Sequence, residues 1–110
     1  MGRHLLADCH GIAPALLTDP AWLDAQLRRA AEAAGAHCLF GHFHPFGPGL
    51  GVTGVLLLAE SHISIHTWPE HGYAAIDVFM CGDARPELAV TLLQAALAPE
   101  RCDVRELPRG

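Results

Sequence analysis

Positive charge is scarce in this chain. Seven Lys and Arg stand against twelve Asp and Glu, a net charge of -5 with neutral histidine. Nucleic-acid readers need basic patches, so the balance argues against that class and is compatible with a cationic substrate. Cysteines at ligand spacing are also missing. Cys9, Cys38, Cys81 and Cys102 form no Cys-x-x-Cys pair, which removes the common zinc frameworks. No apolar run reaches membrane length and no leader pattern opens the chain. These absences lead us to expect a cytoplasmic protein with no membrane partner and with reduced thiols. Cys9, Cys38 and Cys102 are then expected as small buried hydrophobes. Repeats beyond a rough β-α-β, β-β-α-β likeness of the halves, low-complexity runs and linkers are all lacking. The 110 residues therefore suit one domain, residues 1–110. A domain of this size buries only roughly 60–70% of its unfolded surface, so a subunit interface would help it.

What is present centres on residues 59–77. Ile63 and Ile65 alternate with His62, Ser64 and His66. That is strand alternation, with one apolar face for a core and one polar face carrying imidazoles and hydroxyls. Three readings compete for the polar row. It is the solvated face of an antiparallel sheet. It is a metal site of His62 and His66, with His42 and His44 as further ligands. Or it is an activated hydroxyl, Ser61 with an imidazole as base. Residue types alone leave that choice open.

The rest of the chain supplies the frame. Arg3 to Cys9 reads as a strand and 11–20 as a loop. Asp19 then caps a helix opened by Pro20, with Trp22, Leu23, Leu27, Ala30, Ala31 and Ala34 at helical spacing and Gly35 as its stop. Trp22 is a core anchor in this reading. His37 to His44 is a second strand, 46–51 a Gly- and Pro-rich loop, Val52 to Glu60 a third strand and Ser61 to Thr67 a fourth. The run from Gly54 to Ala59 is almost wholly apolar, which suggests a central strand. Ala74 to Cys81 is another strand, Arg85-Pro86 opens a second helix through Leu88, Leu92, Leu93, Ala96 and Leu97, and Val104 to Leu107 is a last edge strand. The expected fold class is a two-layer α/β sandwich: a mostly antiparallel sheet with two helices on one face, His62, Ser64 and His66 lying on the other.

Glu60-Ser61-His62, His66-Thr67-Trp68-Pro69-Glu70, Gly72-Tyr73-Ala74-Ala75-Ile76-Asp77 and Cys81-Gly82 together resemble the prokaryotic S-adenosylmethionine decarboxylase proenzyme family. The likeness is dense over 51–82. It extends more loosely to Gly2-Arg3-His4-Leu5 and Phe43-His44, and so covers most of the chain. It implies self-cleavage between Glu60 and Ser61 into chains 1–60 and 61–110, with Ser61 becoming a pyruvoyl cofactor that forms a Schiff base with the substrate amine. By the same resemblance, His66 is the processing base and Thr53, where many relatives carry serine, the assisting hydroxyl. Cys81 is the proton donor, Glu70 holds the ribose hydroxyls, and Trp68 and Phe46 flank the adenine. The resemblance assigns no metal, and no firm role to His62, His42 or His44.

The implied enzyme is a homodimeric carboxy-lyase making the aminopropyl donor of spermidine synthesis. Ornithine or arginine is the alternative substrate, with Asp8 and Glu70 as an acidic pair for the distal cation. A different class of reading is an unprocessed homologue that only binds a partner. Two departures from the family pattern bear on specificity: the 47–51 loop is slightly long, and relatives often continue beyond Gly110.

Overall fold

The computed structural model describes residues 1–110. Six strands, β1 (Gly2–His10), β2 (Cys38–Pro45), β3 (Val52–Leu58), β4 (Ser61–Trp68), β5 (Tyr73–Cys81) and β6 (Arg101–Arg109), form one sheet in the order β2-β3-β4-β5-β1-β6. Every pairing is antiparallel. Two helices, α1 (Pro20–Ala33) and α2 (Pro86–Leu97), cover one face, and two short 3-10 turns occupy Pro14–Thr18 and Pro69–His71. The two-layer architecture is the expected one.

Alternation in the strands explains why only one face is covered. Leu5, Ala7 and Cys9 of β1, Ile63 and Ile65 of β4, and Ile76, Val78 and Met80 of β5 all point toward the helices and are buried. Leu23, Leu27 and Ala30 of α1 and Ala89, Leu93 and Leu97 of α2 close over them. Residues between those positions form the open face. Asp19 caps α1 as expected, its Oδ1 accepting the Trp22 N–H at 3.0 Å. Trp22 packs against the core from a partly buried position.

Several expectations change. β3 ends at Leu58, two residues before the expected Glu60, because Ala59 and Glu60 form the turn into β4. β3 is interior but not central; β4 and β5 are the central strands. Its apolar run has another cause: Leu57 lies on the open face and is exposed. β6 runs through all of Arg101–Arg109 rather than 104–107, paired with β1 over its whole length. Its charged residues hid it, since an edge strand facing solvent needs no apolar alternation. Cysteine usage also differs. Cys9 is buried in the core as expected and Cys102 packs partly buried against it, but the two stand directly opposite in the β1–β6 register and are joined as a disulfide rather than held as reduced thiols. Cys38 is exposed rather than buried.

Candidate active site

The candidate residues fall into two groups at opposite ends of β4. The first surrounds the two-residue turn of the β3–β4 hairpin. Tight hairpins of this length favour turn residues with positive φ, which match the strand twist. Neither Ala59 nor Glu60 has positive φ; Ser61 takes it instead, at 135°. A non-glycine residue there carries strain on the order of 1–3 kcal/mol. The Glu60 carbonyl just before it accepts the Cys81 N–H at 3.0 Å. That bond arises because Ser61 pairs with Met80, which sets the end of β5 beside the turn. The Cys81 thiol is free and exposed at the same point. The Glu60 carboxylate accepts two bonds from His37, one from its backbone N–H at 2.8 Å and one from Nδ1 at 2.7 Å. His37 holds this carboxyl below the usual range.

The second group lies toward the other end of β4. Thr53 Oγ1 and His66 Nδ1 are hydrogen-bonded at 3.1 Å across the β3–β4 register. Phe46, Trp68 and Glu70 join them around a cavity of about 400 Å³. Its floor requires close backbone approach: a Cβ on Gly51 would sit 2.1 Å from the Thr67 carbonyl oxygen. Trp68 leans on Tyr73, with ring centroids 5.2 Å apart, and keeps 40% of its surface exposed.

Sequence neighbours are thus not neighbours in space. Ser61 and His66 are five residues apart on an extended strand, about 16 Å at the usual rise of about 3.3 Å per residue. Within one chain, the backbones of Glu60, Ser61 and Cys81 lie side by side, and Thr53, His66, Trp68, Glu70 and Phe46 line one cavity. The two sets do not meet each other.

Between them lies a polar box that spacing could not reveal. Asp77 Oδ2 accepts His4 Nε2 at 2.7 Å and His62 Nε2 at 2.8 Å, while Ser64 donates to Oδ1. Burial opposes the Asp77 charge, but bonds from Ser64, His4 and His62 outweigh it and keep the carboxyl below its usual range. His4, His62 and Asp77 bring three ligand atoms within 4.8 Å of one another. These are not the ligands of the metal reading: His62 and His66 are four strand positions apart, about 13 Å at about 3.3 Å per residue, and cannot share an ion. The box itself is chemically unsuited to a metal. Arg109 Nη1 donates to His4 Nδ1 at 2.8 Å, so Nε2 carries the ring proton and donates to Asp77 instead of offering a lone pair.

Asp8 accepts the Tyr73 hydroxyl at 2.6 Å, which with burial pushes Tyr73 up to about 12. Asp8 lines a smaller cavity of about 340 Å³ with Ser64, His66, Asp77 and Arg105, whereas Glu70 lines the other. The two members of the acidic pair considered for a basic amino acid thus line different cavities, which share His66.

A two-layer antiparallel sandwich, with a strained serine at a hairpin turn and a thiol beside it, accords with the class that the motif resembles, the pyruvoyl-dependent decarboxylases, whose cofactor comes from a serine of the chain. The family profile described as S-adenosylmethionine decarboxylase matches residues 3–110. The chain is 48% identical to the S-adenosylmethionine decarboxylase proenzyme of Parasynechococcus marenigrum, over 99% of this chain and 85% of that one. Against the proenzyme of Methanococcus maripaludis (strain S2) identity is 42%, over 100% and 90%. The crystal structure of the adenosylmethionine decarboxylase from Aquifex aeolicus superposes with a TM-score of 0.93 at 40% identity, covering 100% of this chain and 91% of that one. The chain belongs to the S-adenosylmethionine decarboxylase family.

Proposed function

We propose that this chain cleaves itself between Glu60 and Ser61 and then decarboxylates S-adenosylmethionine, as part of spermidine synthesis in the cytoplasm. The observation that carries the reading is the backbone at the turn: Ser61 at φ 135°, with the preceding carbonyl already accepting the Cys81 N–H at 3.0 Å. Attack of Ser61 Oγ on that carbonyl forms a C–O bond. Its collapse breaks the Glu60–Ser61 C–N bond, and the hydroxyl proton ends on the freed amine. The Cys81 N–H stabilises the oxyanion between these events, and release of turn strain favours the otherwise unfavourable ester. Removal of the Ser61 α-proton then expels Glu60 as a carboxylate. The remaining dehydroalanine tautomerises to an imine, and water releases ammonia to leave a ketone.

No lysine occurs anywhere in the sequence, so a pyridoxal cofactor has no side-chain amine to bind, and a carbonyl made from the backbone answers that lack. The pyruvoyl carbonyl supplies an electron sink for the pair left as carbon dioxide departs. Cys81, within the same group as Ser61, returns a proton to the substrate carbon. Glu70 accepts from the ribose hydroxyls, and Phe46 and Trp68 hold the adenine and face the cationic sulfur. Thr53 holds the His66 ring in place.

Because His66 lies about 16 Å along the strand from Ser61, these roles combine only if two chains contribute. The enzyme is therefore read as a homodimer joined through open sheet faces, each site taking Ser61 and Cys81 from one chain and Thr53, His66, Trp68 and Glu70 from the other.

Intact mass of purified protein tests the reading. Wild type should give fragments 1–60 and 61–110, the second carrying pyruvoyl at its start, and Ser61→Ala should stay whole. Carbon dioxide release should follow from S-adenosylmethionine and not from ornithine or arginine. Release from a basic amino acid alone would replace the substrate and leave the chemistry standing. A wild type that stays whole would favour a non-catalytic binding protein.

A further inference from the structure

We propose that His37 is a positioning residue for the self-cleavage step, an inference that rests on cleavage at Glu60–Ser61. It clasps the turn at three points. Its backbone N–H and its Nδ1–H donate to the two carboxylate oxygens of Glu60, at 2.8 and 2.7 Å, and its carbonyl accepts the Ala59 N–H at 2.8 Å. Both residues of the turn are thereby tied to the chain segment that enters β2. Glu60 is also the residue whose carbonyl is attacked. With its side chain held at both oxygens and its carbonyl held by the Cys81 N–H, its own torsions have little freedom. The twist mismatch of the turn then falls on the next residue, Ser61, where the positive φ is found.

The His37 ring has no other evident task. Its side chain is 78% exposed, while the Glu60 side chain it holds is only 17% exposed. A ring so exposed contributes little by packing, so its bond to Glu60 is its chief interaction. The Glu60 carboxyl is held low by His37, so it is ionised at neutral pH and Nδ1 must be the donor. A charge-assisted bond of this kind is stronger than a neutral one. The covalent step is unchanged: Oγ–C forms, C–N breaks and the proton passes to the amine. His37 touches none of the reacting atoms and acts through Glu60. Nothing in the spacing of residues 37 and 60 announces the contact; it follows from β2 lying beside β3.

The test follows cleavage of freshly synthesised precursor with time in cell-free translation, for wild type, His37→Ala and His37→Asn. The Asn side chain carries an N–H close to where Nδ1 sits. His37→Ala should cut roughly ten-fold more slowly, the effect of losing one hydrogen bond to a charged group. His37→Asn should recover most of the rate. Carbon dioxide release per pyruvoyl group, measured on fully cut protein, should be equal in all three. Cleavage of His37→Ala at the wild-type rate would overturn the proposal. So would equally slow cleavage of the Asn variant with melting temperatures lowered alike, since that marks a structural role only. A wild type that never cuts would instead overturn the Glu60–Ser61 reading itself.

Discussion

At the scale of single residues, Asp77 shows what the sequence could and could not reveal. The alternation of Ile63 and Ile65 with His62, Ser64 and His66 made the polar row readable. The partner that satisfies the row was not readable. Asp77, His4 and Arg109 converge on it because β1 pairs with β5 and Arg109 ends β6, long-range pairings that no local spacing encodes. The consequence is a pH-dependent contribution to stability. The folded Asp77 carboxyl lies below its ordinary value of 3.8. A lowered carboxyl stabilises the fold fully above its unfolded pKa, and that gain is lost as pH falls through the folded value. Asp77→Asn should therefore cost about 1–3 kcal/mol at neutral pH, the range for disrupting a partly buried hydrogen-bonded group. The difference from wild type should shrink below about pH 4. Urea unfolding at pH 7 and pH 3 measures both; an undiminished gap at pH 3 would mean that the carboxylate charge is not the cause.

At the scale of elements, β3 and β6 are the instructive cases. The run from Gly54 to Ala59 looks like a strand buried on both sides. One of those sides is open in the single chain, leaving Leu57 of β3 and Phe40 of β2 paired and exposed at 45% and 59%. In the proposed homodimer these two residues would pack against the partner chain, which secondary-structure periodicity does not report. β6 errs in the opposite direction: it is polar because it is an edge, and the pattern understated its length. Leu57→Glu tests the reading of β3. A charge placed on an apolar contact face should weaken association, so the variant should elute as a monomer in size-exclusion chromatography with its helical circular dichroism retained. An unchanged dimer would put the interface elsewhere.

At the scale of the whole molecule, a dense motif is spread along an extended chain. Residues 60–70 read as one active site because they are contiguous in sequence. On a strand, contiguity means distance: Ser61 and His66 end about 16 Å apart. The layer architecture was legible in the sequence; the division of the candidate residues into two groups was not, because it depends on β4 being a straight strand through the middle of the sheet. The central claim is that one chain's His66 serves the other chain's Ser61. Co-expression of differently tagged His66→Ala and Ser61→Ala chains tests it, with intact mass read on the isolated mixed dimer. The two-chain site predicts that the His66→Ala chain, whole when expressed alone, is cut into 1–60 and 61–110 in the mixed dimer while its Ser61→Ala partner stays intact. A mixed dimer in which both chains remain whole, beside a wild type that cuts normally, would contradict it.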